Sequence, residues 1–131
     1  MVSQTDASPT PIDVIQGATS SGSDDPGTGP IKLERTRDTG LVHDTGTISM
    51  ARDGPDTATS SFFIVVERSQ SLDFGGQRNA DGQGFAAFGR IIEGMDIVRR
   101  IHRSAAIEES LVSPVVINGA EILSGAEACS S

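Results

Sequence analysis

The stretch Thr47-Ile48-Ser49-Met50-Ala51-Arg52-Asp53-Gly54-Pro55-Asp56-Thr57-Ala58-Thr59-Ser60-Ser61-Phe62-Phe63-Ile64 decides how the chain is read. Residues 46–51, which lead into it, read as a β-strand, and Arg52-Asp53-Gly54-Pro55-Asp56 as a turn in which Gly and Pro fix the reversal. Residues 61–67, Ser-Phe-Phe-Ile-Val-Val-Glu, are the strongest strand of the sequence, rich in aromatic and β-branched side chains. So continuous an apolar run predicts burial on both faces.

Outward from this centre the sequence alternates between short strands and polar loops. Residues 12–16 predict a strand with Ile12, Val14 and Gln16 on one face, because side chains alternate along an extended chain. Residues 1–11 read as a solvated arm or loop, and 17–30, rich in Gly, Ser, Asp and Pro, as a surface loop or linker. Residues 31–36 are compatible with an extended segment. Residues 69–84 form a further loop, and 85–92 return to strand. The period then changes: Met95, Ile97, Val98 and Ile101 have helical spacing, with Arg99, Arg100 and Arg103 near the end favoured by the helix dipole. One short helix near 94–103 is expected. Residues 114–117 and 120–123 predict a final strand interrupted at Asn118-Gly119. No internal repeat is present.

Composition narrows the class. The 131 residues make one domain, and 36% apolar residues with a mean hydropathy of −0.15 are enough for a core. The 15 Gly and 6 Pro argue for many turns rather than a helical bundle. A net charge of −8 argues against nucleic-acid and anionic-membrane surfaces, which need a basic face. The sequence contains no apolar run of spanning length, and its start lacks the basic-then-apolar pattern of a signal peptide; its compartment stays open. The single cysteine, Cys129, excludes an internal disulfide and a cysteine-rich metal site.

Few residues carry recognisable chemistry by spacing alone. His43 and His102 are too far apart for a zinc motif, and a surface role is expected for both. No Gly-x-Ser-x-Gly elbow supports a hydrolase triad, and the Gly-rich loop from Asp73 to Gly84 lacks a nucleotide-binding pattern. Arg99, Arg100 and Arg103 read as a solvated face, with docking of an acidic partner as the alternative. Neither metal nor cofactor is expected.

The central stretch resembles the cyclophilins, peptidyl-prolyl cis-trans isomerases whose signature reads roughly Leu-Ser-Met-Ala-Asn-x-Gly-Pro-Asn-Thr-x-x-Ser-Gln-Phe-Phe-Ile. Residues 85–98, Phe-Ala-Ala-Phe-Gly-Arg-Ile-Ile-Glu-Gly-Met-Asp-Ile-Val, are similar to the family's Val-Phe-Gly-x-Val-x-x-Gly-Met-x-Val-Val. Val14-Ile15-Gln16-Gly17 looks like its Met-x-Gln-Gly strand. The resemblance covers residues 12 to about 123, in the family's order and spacing.

This resemblance implies a proline-binding cleft. Phe63 would form the floor of the proline pocket, Leu72 its side wall, and Val14 the position usually held by Met. Gln16 would orient the substrate and the catalytic guanidinium. The backbone of Ala51, Arg52 and Asp53 would pair with the substrate peptide as an added strand. Plain core packing is the competing reading of Phe63 and Leu72. Three positions depart from the family pattern and reshape the cleft: Ser61 stands for a usual Gln, Ser71 for Trp and Phe85 for His. The family's Phe-x-Arg strand, whose Arg donates to the prolyl nitrogen, has no counterpart, since no Arg precedes Arg35.

The expectation is therefore a mainly β, cyclophilin-like antiparallel barrel, N-terminally incomplete, with its first strands and first helix absent. Residues 1–11 form a loop or arm, 12–123 the C-terminal part of the domain, and 124–131 a tail. The expected function is peptidyl-prolyl isomerisation of proline-containing peptides or unfolded proteins, without nucleic acid or membrane, as a monomer if complete. The alternatives are a degenerate peptide-binding module, inactive for want of the Arg, and a non-functional fragment. An in-frame Phe-x-Arg upstream of Met1 would separate them.

Overall fold

In a computed structural model of the chain, the residues described are 12–17, 30, 32–52, 56, 58, 61–76, 78, 81–104, 106–107, 110–111, 113, 115–121 and 123. The strands are β1 (Val14–Gly17), β2 (Thr47–Met50), β3 (Phe62–Val65), β4 (Ala87–Arg90), β5 (Ala106–Ile107) and β6 (Ser110–Leu111). The helices are α1 (Thr36–Thr39) and α2 (Met95–His102), with a 3-10 turn at Gln70–Leu72.

β3 is a central strand because its four residues are apolar and suit a sheet covered on both sides. It pairs antiparallel with β1 and with β2, and β2 pairs antiparallel with β4, giving the order β1-β3-β2-β4. Along β3, Phe63 and Val65 are buried whereas Phe62 and Ile64 are half-buried, so one face is fully covered and the other partly. Among the described residues the sheet is open rather than closed into a barrel, with β1 and β4 at its edges. The mainly β antiparallel expectation holds.

The helix holds as well. α2 lies within the expected 94–103 and packs on β1, with Val98 buried and Met95 and Ile101 half-buried. Ile97 is exposed instead, since it sits about 100° round the helix from Val98. His102 Nε2 lies 3.8 Å from Asp13 Oδ1 and ties the helix end to the approach of β1. None of the described helices is long and apolar enough to cross a membrane.

Two local expectations are corrected. Residues 32–35 have no regular structure and Thr36–Thr39 form a helical turn, closed by the Gly40 N–H on the Thr36 carbonyl at 2.8 Å. The final strand is not formed: residues 115–121 have no regular structure, and Val115, Val116 and Ile117 are exposed. β-forming side chains need a partner strand, and among the described residues none lies alongside them. A β5–β6 hairpin, which the sequence pattern did not reveal, precedes this segment. The loop that runs to Gly84 has Gly75 and Asp81 exposed and Phe74, Gly76, Arg78, Gly82 and Gln83 half-buried; Gln77 lies outside the described residues.

Candidate functional site

Sheet pairing assembles the site. Gln16, Phe63 and Ser49 stand directly opposite one another on β1, β3 and β2, and Val14 stands opposite Val65. Opposite residues of antiparallel strands point to the same face, so these side chains share one surface. Leu72, delivered by the 3-10 turn, and Phe85, whose N–H donates to the Leu72 carbonyl at 2.9 Å, close over it. Val14, Phe63, Val65, Leu72 and Phe85 form one buried cluster, with Ile12 and Ala51 packed against it.

Of the residues singled out by resemblance, Val14, Ala51, Phe63, Leu72 and Phe85 are thus brought together. Gln16 joins them as a half-buried neighbour of Phe63. Phe63 is 4% exposed and Leu72 0%, so here they pack against one another rather than line an open cleft. Ser61 is buried, and its carbonyl accepts the Ala51 N–H at 2.9 Å, extending the β2–β3 ladder. Asp53 lies outside the described residues.

Arg52 is drawn into the 81–84 loop. Its Nη1 and Nη2 donate to the two Asp81 carboxylate oxygens at 2.9 and 3.1 Å, and Nε donates to the Gly84 carbonyl at 2.9 Å. Nη2 also donates to that carbonyl, and the guanidinium carbon stands 5.0 Å from the Phe85 ring centroid. The Arg52 side chain is 1% exposed. The guanidinium and the Gln83 N–H bonding to Asp81 hold its carboxyl below the usual carboxylate range.

The same loop is fastened elsewhere. Arg35 Nε donates to Gln83 Oε1 at 2.6 Å, the Phe74 N–H donates to Thr36 Oγ1 at 2.8 Å, and Arg37 stands 4.4 Å over the Phe74 ring. Gly84 is required by geometry: its φ is +72°, and an added Cβ would fall 2.6 Å from the Asp73 carbonyl carbon.

The sequence reading missed His43, and the surface role expected of it is overturned. The residue is 1% exposed. Its Nδ1 lies 2.7 Å from Asp73 Oδ1, which also accepts its backbone N–H at 2.9 Å, and its Nε2 lies 2.9 Å from Ser49 Oγ. Both ring nitrogens are therefore satisfied, which offsets the cost of burying a polar ring. Burial pushes the His43 pKa below its ordinary value, and Asp73 opposes that shift only in part. The signal available in sequence was Ser49 itself, a hydroxyl flanked by Ile48 and Met50 within a strand, where a buried polar group calls for a partner.

Ser49, His43 and Asp73 have the connectivity of a nucleophilic triad. Ser49 is 0% exposed, however, and its Oγ is taken up by His43 Nε2, so the arrangement reads as a buried structural contact. No group of three or more potential metal-ligating side chains occurs among the described residues.

Comparison with known proteins agrees with this geometry. Residues 5–122 match the family described as cyclophilin type peptidyl-prolyl cis-trans isomerase/CLD. The chain is 37% identical over 97 residues to peptidyl-prolyl cis-trans isomerase cyp18 of Streptomyces antibioticus, covering 70% of this chain and 58% of that protein. It is 32% identical over 100 residues to peptidyl-prolyl cis-trans isomerase B of Escherichia coli strain K12, covering 68% and 59%. Against peptidyl-prolyl cis-trans isomerase A of Dickeya dadantii it is 39% identical over 100 residues, covering 72% and 50%. The chain thus spans between half and three fifths of these three relatives. With a family match across most of its length, and with the signature stretch supplying the paired strands β2 and β3 of an antiparallel sheet, the chain belongs to the cyclophilin-type peptidyl-prolyl cis-trans isomerases.

Proposed function

We propose that this chain supplies the proline-binding face of a peptidyl-prolyl cis-trans isomerase acting on proline-containing peptides and unfolded proteins. The observation that supports the reading is the meeting of Val14, Phe63, Leu72 and Phe85 in one apolar cluster, with the half-buried Ala51 against it. Rotation about an X-Pro bond crosses a barrier of about 18–20 kcal/mol without breaking a covalent bond. An isomerase therefore needs no nucleophile, only an apolar rest for the ring and donors that favour the twisted amide. The edge of the cluster bordered by the half-buried Ala51 and Gln16 would receive the prolyl ring, Gln16 would orient the amide, and the backbone at 51–53 would pair with the peptide. A net charge of −8 gives no attraction to nucleic acid or to anionic membranes, and we read the complete protein as a monomer acting on peptides.

The family's donor arginine precedes the Val14–Gly17 strand, and this sequence has none before Arg35. Arg52 is a poor substitute because Asp81 and Gly84 occupy its guanidinium. The test is an NMR titration of the folded chain with a tetrapeptide holding one X-Pro bond and with its Pro→Ala counterpart. Shifts at Phe63, Phe85 and Ala51 with the first peptide alone are expected; equal response to both, or none, refutes the reading.

A further inference from the structure

Among the described residues His43 is the one titratable residue in the buried core, and the isomerase reading gives it no task. Its bonding is fully determined. A carboxylate only accepts, so Nδ1 carries the ring proton and donates to Asp73; Nε2 of the neutral ring then accepts from the Ser49 hydroxyl. With its backbone N–H also donating to Asp73, the imidazole is fixed at both ring nitrogens and at its root.

Two aromatic rings rest on this fixed ring. Phe63 stacks on it at a centroid separation of 6.0 Å and an interplanar angle of 13°. Phe85 meets it edge-on at 6.5 Å and 78°, and Phe63 and Phe85 meet each other at 5.3 Å and 86°. Of the three rings only the imidazole has hydrogen-bonding atoms. A phenyl ring takes its orientation from what it packs on. Ser49, which holds the imidazole from β2, also stands directly opposite Phe63 of β3.

We propose that His43 is a positioning residue: held between Asp73 and Ser49 as its Nδ1-protonated tautomer, it fixes the Phe63 and Phe85 rings in the arrangement on which a substrate prolyl ring rests. Only the last clause depends on the isomerase reading. Protonation of Nε2 turns it from acceptor to donor and forces the Ser49 hydroxyl to rotate, so the arrangement is also sensitive to acid. The charged group facing His43 is Asp73, which follows the 3-10 turn; β2 presents Ser49, β3 presents Phe63 and the segment before β4 presents Phe85. Beyond Phe85 lies the Arg52–Asp81 pair, and Asp44, next in the chain, pairs at the surface with Arg68 at 3.3 Å.

The test uses the 131-residue chain with ¹³C-labelled Phe and ¹⁵N-labelled His. In the wild type the Phe63 ring signals should follow the ionisation of His43, and in Asp73→Asn the shared midpoint should fall, because the carboxylate favours the cation. In a folded His43→Gln variant the acid response should vanish, and affinity for the X-Pro tetrapeptide should drop about threefold to tenfold. Phe63 signals indifferent to His43 ionisation in the wild type overturn the proposal without recourse to any variant. Unchanged ring signals and affinity in folded His43→Gln do the same. If the wild type binds no proline peptide, the isomerase reading fails while the ring signals still decide the role of His43.

Discussion

Arg52 and Asp81, 29 residues apart, meet in a two-pronged ion pair of 2.9 and 3.1 Å with the arginine side chain removed from solvent. The pair bridges the segment after β2 to the loop before β4 and holds both around Phe85. Asp81→Asn leaves the buried guanidinium with a weaker partner and should cost about 1–3 kcal/mol, measured by urea unfolding at pH 7. The Asp81 carboxyl lies lower in the folded than in the unfolded chain, so its contribution is complete above the ordinary carboxylate pKa and is lost as pH falls through the folded value. The variant's deficit should therefore shrink in strong acid.

His43 gives stability a second acid limb. Its folded pKa is below its ordinary value of 6.5, so the unfolded chain binds the extra proton first as pH falls. Its contribution is complete above about pH 6.5 and declines below it, towards the folded pKa. Urea midpoints of the wild type should fall between pH 7.5 and 5.5, and those of His43→Gln should fall less.

Phe63→Ala should lower stability by about 3–5 kcal/mol, because the ring is buried at the centre of the cluster. Phe63→Leu, which keeps most of the volume, should retain the fold yet weaken binding of the X-Pro tetrapeptide. Calorimetric unfolding and peptide titration, run separately, check the two effects.

Glycines on this chain are not equivalent. Gly84→Ala meets both a φ of +72° and backbone within 2.6 Å, whereas Gly40→Ala meets a φ of +75° in open space. The Gly40 change should cost about 1 kcal/mol, and the Gly84 change upwards of about 3 kcal/mol, with loss of the Phe85 packing. Unfolding midpoints of the two variants decide it.

Joining the family's arginine-bearing strand ahead of Met1 should raise isomerisation by about 10² to 10³, the value of one preorganised donor. A proline-limited peptide assay at equal concentration, with circular dichroism confirming the fold, makes the comparison. Equal rates would mean that a donor within the 131 residues is sufficient.

Legibility followed the range of the forces. Phe62–Val65 and Met95–His102 were readable because a β-branched run and a helical period are local patterns. The approach of Val14, Phe63, Leu72 and Phe85 was readable only through family resemblance, since no spacing along the chain encodes it. His43 was misjudged because its partner Asp73 is 30 residues away and no spacing along the chain links the two. Arg52 was read for its backbone, and its guanidinium's anchorage depended on Asp81 in a loop with no periodic signal. The false strand at 114–123 arose from composition alone, which records what a segment would do beside a neighbour it does not have among the described residues.

The apolar run of β3 leaves one question to its neighbours. Slide β3 by one residue against β2, and Phe62 and Ile64 take the inner positions of Phe63 and Val65, so oiliness alone barely discriminates between the two alignments. What lies against β3 does depend on the alignment: Phe63 is the ring stacked on an imidazole that Asp73 and Ser49 hold from outside the strand, and Phe62 lies over Gly17, where an added Cβ would fall 2.7 Å from its ring. Freeing the imidazole loosens one of these two register marks, so Ser49→Ala should leave a protein as compact as the parent with broadened or doubled amide signals along Phe62–Val65, whereas an unchanged spectrum would leave register to Gly17 and Phe62 alone.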